Sequence, residues 1–295
     1  MNRADSLRRF GRVFDAVARE YDAVRLGYPD GLVDVCVSRG RLRPASRVLE
    51  VGCGTGKLTE LLVARELDVV AVDPGPNMVE AARRRLGALS DRVRFEVSTF
   101  EHARLPEAGF DGLFSATAFH WPDPAVSWEK AAFHLNTGGL LALLAHVDVR
   151  DERSARAAEA FRELLTMHAP EVAASRGPQR DLETILAGAE ERRGNASAVW
   201  DWVMGERHEL AVEQAADLFD DVAVVAEVSR VEETAEQSLA HLRTTSLYFR
   251  IEPVRRPGFE EDVRGLAERL GGTIETTLAT LLMTARRTSS GRESR

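Results

Sequence analysis

Cysteine is scarce in this chain of 295 residues, with only Cys36 and Cys53 present. The second lies inside a glycine-rich loop, so no structural disulfide is expected. Long apolar runs are missing too: the longest, near Leu140 to Ala145, falls far short of the roughly 18 residues that span a bilayer. The amino terminus, Met1 to Arg12, carries several arginines but no apolar signal-peptide core. Together these predict a cytoplasmic protein with no membrane partner. Basic blocks are absent apart from Arg83-Arg84-Arg85, read as the solvated face of a helix, and the net charge is −8. That balance argues against nucleic acid, whose binding rests on neutralising phosphates. No Cys/His cluster has metal-ligand spacing, so no metal is expected, and there are no repeats or low-complexity tracts.

What is present centres on Val48-Leu49-Glu50-Val51-Gly52-Cys53-Gly54-Thr55-Gly56. A short apolar run ends in an acid and then breaks into glycines at alternate positions, which reads as a strand, a tight loop and the start of a helix. Glycines permit close backbone approach, and the free amides of a helix start favour acceptor groups of a ligand. A dinucleotide fold wants G-x-G-x-x-G to seat a pyrophosphate; here the spacing is G-x-G-x-G, and Glu50 would repel a pyrophosphate while suiting a ligand with an ammonium and a sulfonium. A second run, Val69 to Val72, ends in Asp73, placed where a carboxylate accepts both ribose hydroxyls. Glu50 has a second reading, as a carboxylate that only orders the loop through backbone amides.

The stretch around Glu50 resembles motif I of the class I S-adenosylmethionine (SAM)-dependent methyltransferases, whose acidic E/D-x-G-x-G-x-G loop wraps the methionine part of the cofactor. Asp73-Pro74-Gly75-Pro76-Asn77-Met78 with Ala82 is similar to the family's D-x-S-x-x-M-x-x-x-A segment, with Gly75 near the place of the serine. Ser98-Thr99-Phe100-Glu101 followed by Leu105-Pro106 resembles the adenine-binding turn, with an insertion of two residues. Phe119-His120-Trp121-Pro122-Asp123 resembles the F-H-W-x-D signature of the small-molecule branch that includes the trans-aconitate methyltransferases. Tyr21-Asp22-x-x-Arg25-x-x-Tyr28-Pro29 is similar to the family's Y-D-x-x-R-P-x-Y-P segment, with Leu26 for its first proline, which in relatives folds over the cofactor.

The resemblance implies a Rossmann-like α/β fold: a doubly wound, seven-stranded, mostly parallel sheet with a helical lid and insertions. It divides the chain into a lid (1–40), a SAM-binding core (41–147), a helical substrate cap (148–211), the remaining core sheet with a helical insertion (212–288) and a disordered tail (289–295). Alternating apolar runs and amphipathic helices between Arg47 and Val147 point independently to a parallel sheet covered on both faces. A helix over Ser6 to Arg19, another from Pro122 to before Gly138-Gly139, and strands at Leu140–Val147, Val222–Val231 and Thr273–Thr284 are expected.

The resemblance further implies that SAM lies against Glu50, Gly52, Gly54, Gly56, Asp73, Pro74, Met78, Thr99, Phe100, Ala116 and Tyr21. Ligands bind beyond the carboxyl ends of strands in such sheets. His120, in a loop expected to face the methyl donor, is the catalytic candidate as general base; its other reading is a structural residue capping the helix at Pro122. Arg25, Tyr28, Trp121, His146 and Trp200 are candidate acceptor contacts. Trp200 and Trp202 alternate as in a strand. The expected reaction is methyl transfer to a carboxylate or hydroxyl oxygen of a small molecule by a monomer or homodimer. Alternatives are a SAM-fold protein catalysing cyclisation or elimination, a nonenzymatic SAM-binding partner, and a nucleotide-dependent oxidoreductase.

Overall fold

In the computed structural model, which describes residues 13–106, 109–206 and 209–289, seven strands form one sheet. They are β1 (Arg47–Val51), β2 (Asp68–Asp73), β3 (Val93–Val97), β4 (Phe110–Ala116), β5 (Leu135–Asp148), β6 (Phe219–Thr234) and β7 (Thr273–Arg287). Their spatial order is β3-β2-β1-β4-β5-β7-β6. The first five pair in parallel, and β7 runs antiparallel to both β5 and β6. The order reverses direction between β1 and β4, the switch point at which a crevice opens beyond the strand ends. This is the Rossmann-like sheet expected from the sequence.

Both faces of the central strands are apolar because helices cover both. Leu49, Val51, Leu113, Leu141 and Leu143 pack into one core. Val48, Phe114, Leu140, Ala142 and Leu144 pack into the other, against Leu58, Leu62 and Val79 from the helices Lys57–Ala64 and Pro76–Leu86. Burying each such side chain contributes on the order of 1.5–3 kcal/mol.

A third core lies above the strand ends. Leu164 and Leu165 of the helix Ala155–His168 meet Leu239 of Ala235–Leu242 and Phe259, Val263 and Leu266 of Arg256–Arg269. The helices Leu182–Glu191 and Ala196–Val203 instead add Ile185, Ala189, Val199 and Trp200 to the first sheet core. The stretch 148–211, read from sequence as one cap, therefore contributes to two separate packing units.

Several local expectations change. Residues 196–203 are helical, not a strand: Asn195 Oδ1 accepts the amides of Ser197 and Ala198, capping the helix start. The helix expected at Pro122 begins at Pro124, capped by Asp123, whose Oδ1 accepts the Ala125 amide at 3.1 Å. Strand β5 starts at Leu135 and runs through Gly138-Gly139. In the amino-terminal segment a 3-10 turn over Val13–Val17 leads into the helix Ala18–Val24, and the part of the expected helix before residue 13 lies outside the described residues. No helix among the described residues is long and apolar enough to cross a membrane.

Candidate active site

At the end of β1 the chain turns with Gly52, Gly54 and Gly56 at φ of +73°, +52° and +82°, the left-handed region that disfavours side chains. A Cβ at Gly52 would collide with the Cβ of Ala118, and one at Gly56 would lie 3.0 Å from that of Ala82. The Gly54 amide donates to Asp73 Oδ2 at 2.9 Å, and the Gly75 amide donates to Oδ1 at 2.8 Å. Asp73 thus fastens the glycine loop to the turn after β2. Burial raises its pKa to about 6, opposed by those two amides. It lines a cavity of about 1680 Å³ together with Gly52, Gly54, Pro74 and Met78. Gly56 sits behind that wall, against Ala82.

Glu50 departs from expectation. Its carboxylate is buried beneath the loop and accepts the Thr59 hydroxyl at 2.7 Å, and it is not among the residues lining the cavity. The reason is register: alternate residues of β1 face opposite ways, and Glu50 points toward the helix Lys57–Ala64. Burial, with the nearby Asp73 charge adding to it, pushes its pKa to about 7. Its second reading placed it on backbone amides; here it accepts a side-chain hydroxyl of the following helix instead.

The turn after β3 brings Ser98, Thr99, Phe100 and Glu101 to the cavity. Phe100 is buried, its ring 6.3 Å from that of Phe119, and Thr99 Oγ1 lies 2.9 Å from His102 Nδ1. Glu101 reaches back to accept the Asp123 amide at 2.8 Å, which pins the loop after β4. That loop leaves Ala116, itself a lining residue, through Thr117 at φ +55°. A β-branched residue in this conformation stores strain, a feature that clusters at functional sites. Two hydrogen bonds hold it: its amide donates to the Leu144 carbonyl at 2.7 Å and its hydroxyl lies 3.1 Å from Tyr28 Oη.

His120 and Trp121 follow on the same loop and both line the cavity, ring centroids 4.5 Å apart. The cap of the next helix comes from Asp123. Trp121 meets Phe14 edge to face at 5.8 Å.

The amino-terminal segment lies across this opening. Asp15 Oδ1 accepts the amides of Asn77 and Met78 at 2.8 and 3.2 Å, capping the helix Pro76–Leu86 from outside. Asp22 pairs with Arg85 at 2.6 Å and Lys57 at 3.7 Å. Tyr21 and Arg25 line the cavity, yet Arg25 gives Nε and Nη2 to Thr244, so its guanidinium serves as a tie between segments. Tyr28 does not line the cavity; it stacks on His146 at 5.0 Å with a 3° interplanar angle. His146 lines it with Nδ1 3.0 Å from Thr280 Oγ1. Burial, then the Arg25 charge, lowers its pKa to about 4, so the ring is neutral at pH 7.

Trp200 is corrected: it is fully buried in the sheet core, and Trp202 lines the cavity instead. Helical spacing turns the two rings about 200° apart, so only one can face the opening. Sequence reasoning also missed the cavity-lining set Glu233, Ser238 and His241, in which His241 Nδ1 lies 3.4 Å from Glu233 Oε1 and Ser238 donates to Oε2 at 3.1 Å. The T-x-x-E/Q-like start of their helix, Thr234 with Gln237, was a readable capping signal, but the pairing of side chains was not. Among the described residues no three His, Cys, Asp or Glu side chains are grouped to hold a metal ion.

Residues 48–139 match a family described as a methyltransferase domain. An uncharacterized methyltransferase of Mycobacterium tuberculosis is 39% identical over 140 residues, which cover 48% of this chain and 54% of the relative. A trans-aconitate 2-methyltransferase of Rhizobium rhizogenes is 35% identical over 100 residues, covering 33% and 37% respectively. The chain therefore spans about half the length, or less, of these curated relatives. A putative type II methyltransferase from Anaeromyxobacter dehalogenans superposes with a TM-score of 0.55 at 21% identity, over 90% of this chain and 97% of that one, and shares the fold.

Proposed function

We propose that this chain, which carries a class I SAM-dependent methyltransferase domain, moves the cofactor's methyl group to an oxygen of a small molecule in the cytoplasm, as a monomer or homodimer. The observation that carries the reading is Asp73, held at the cavity floor by the Gly54 and Gly75 amides. Each of its oxygens spends one acceptor site on the backbone and keeps capacity for a hydroxyl. The buried carboxylate, the loop's Gly52 and Gly54 and the apolar flank of Met78 and Phe100 fit a ribose, an amino-acid tail and an adenine in that order.

When bound, the cofactor supplies an electrophilic methyl on a sulfonium. The protein's work is to bring an oxygen nucleophile close and in line with it and to keep water away. In this reading Tyr21, Trp121 and the amino-terminal segment cover the reacting centre, Thr99 and Ala116 border the cofactor end, and His120 faces the acceptor. A carboxylate acceptor arrives ionised at pH 7 and needs only positioning; a hydroxyl gives up its proton as the bond forms, and His120 is the group proposed to take it. His146, neutral and stacked under Tyr28, shapes the acceptor space.

Calorimetric titration with SAM, S-adenosylhomocysteine and NADH tests the cofactor. Binding of the first two alone supports the reading, and binding of NADH alone overturns it. Release of S-adenosylhomocysteine with carboxylic acid and hydroxyl acceptors then tests the reaction.

A further inference from the structure

We propose that the acceptor is a bulky, mostly apolar molecule, and that small polycarboxylates are excluded; this rests on the methyl-transfer reading above. The cavity of about 1680 Å³ exceeds the roughly 300–1,000 Å³ of an ordinary small-molecule site, so much of it lies beyond what one cofactor fills. Away from Asp73 its walls include Phe161, Leu165, Ile185, Trp202, Met204 and Leu278.

The Trp202 wall is rigid. Its Nε1 donates to the Ile185 carbonyl at 2.9 Å, and its ring lies directly over Gly188, where no Cβ would fit. The guanidinium carbons of Arg180 and Arg192 lie 4.4 and 4.1 Å from its ring centroid. A ring held this way loses little side-chain freedom when a ligand binds, and beside it Ile185, Met204 and Leu278 supply the apolar wall.

Charge points the same way. The arginines that line the cavity are already engaged by protein groups: Arg25 with Thr244, Arg176 with Asp148 at 3.5 Å, Arg180 with the Val203 carbonyl at 3.2 Å, and Arg162 with the Gly177 carbonyl at 3.1 Å. Arg150 lies 3.8 Å from Asp181. Asp148, Glu159, Glu206 and Glu233 line the same space. Nine carboxylates line the cavity against five arginines, so a tricarboxylate would meet net negative charge.

The test uses the full chain saturated with S-adenosylhomocysteine and titrated by calorimetry with para-ethyl, para-butyl and para-hexylphenol and, separately, with citrate. The expected result is binding that tightens by about fourfold per added methylene, with no heat from citrate. Ala158→Trp, which fills the cavity from the helix Ala155–His168, should abolish phenol binding while S-adenosylhomocysteine still binds. If that variant fails to fold, Ala158→Leu should flatten the chain-length series. Citrate binding, a flat series in the unaltered protein, or phenol binding unchanged in a folded Ala158 variant overturns the proposal. Failure to bind S-adenosylhomocysteine at the outset would instead overturn the methyl-transfer reading.

Discussion

Arg25 donates from Nε to the Thr244 hydroxyl at 3.0 Å and from Nη2 to the Thr244 carbonyl at 2.7 Å. These two bonds join the amino-terminal segment to the turn after the helix Ala235–Leu242. Thr244 is fully buried, so the donor leaves water to reach it, and hydrogen bonds from a charged group contribute about 1.5–3 kcal/mol. Arg25→Ala should raise amide hydrogen exchange across residues 13–29 while the sheet stays protected. Exchange mass spectrometry checks this; uniform loss of protection would mean the tie stabilises the whole fold.

Asp73→Ala removes the acceptor for two backbone amides and the carboxylate proposed to meet the ribose. SAM affinity should fall by about 1–3 kcal/mol, read by calorimetry. Unchanged affinity would sink the ribose assignment.

Gly52→Ala should be more damaging than its size suggests, since the added methyl strikes Ala118 and the backbone sits at φ +73°. We expect loss of SAM binding with a lower melting temperature. Gly138→Ala, at φ +74° with open space around its Cβ, should show the conformational cost alone and keep SAM binding.

The buried Glu50 gives stability a pH dependence. Its folded pKa, about 7, lies above the ordinary carboxylate value of 4.5, so between those limits the folded chain holds a proton that the unfolded chain has released. Stability from this group therefore falls as pH rises from about 4.5 through about 7 and levels off above. Glu50→Gln should remove that slope. Denaturant titrations at several pH values would register it, and an identical slope in the variant would contradict the burial argument.

His120→Ala should lower turnover with hydroxyl acceptors, by on the order of 10²–10⁴-fold, and leave SAM affinity unchanged. If SAM binding collapses with it, the ring supports the cofactor site rather than the reacting centre.

The cofactor end was legible because its signals are local. A strand, an acid and three glycines lie within nine consecutive residues, and Asp73 closes the next strand; no long-range packing is needed to recognise them. Glu50 shows the limit, since which face of β1 it occupies depends on the register with the helix beside it. Residues 196–203 misled for a different reason: Trp200 and Trp202 alternate as in a strand, whereas Val199, Trp200 and Val203 follow helical spacing, and the Asn195 cap marks the helix start. The tie of Arg25 to Thr244 spans 219 positions, and the strain at Thr117 is a property of the backbone. Neither has a signature in residue order.

The antiparallel β7 sits between β5 and β6 although it follows both in the chain. During synthesis, β6 leaves the ribosome before its partner exists, and β5 waits with an unpaired edge. The Asp73 side of the sheet can be complete while this side still offers two open templates to other nascent chains. A chain that stalls between residues 235 and 272 would therefore hold a cofactor loop beside unpaired strand edges, the arrangement that favours aggregation.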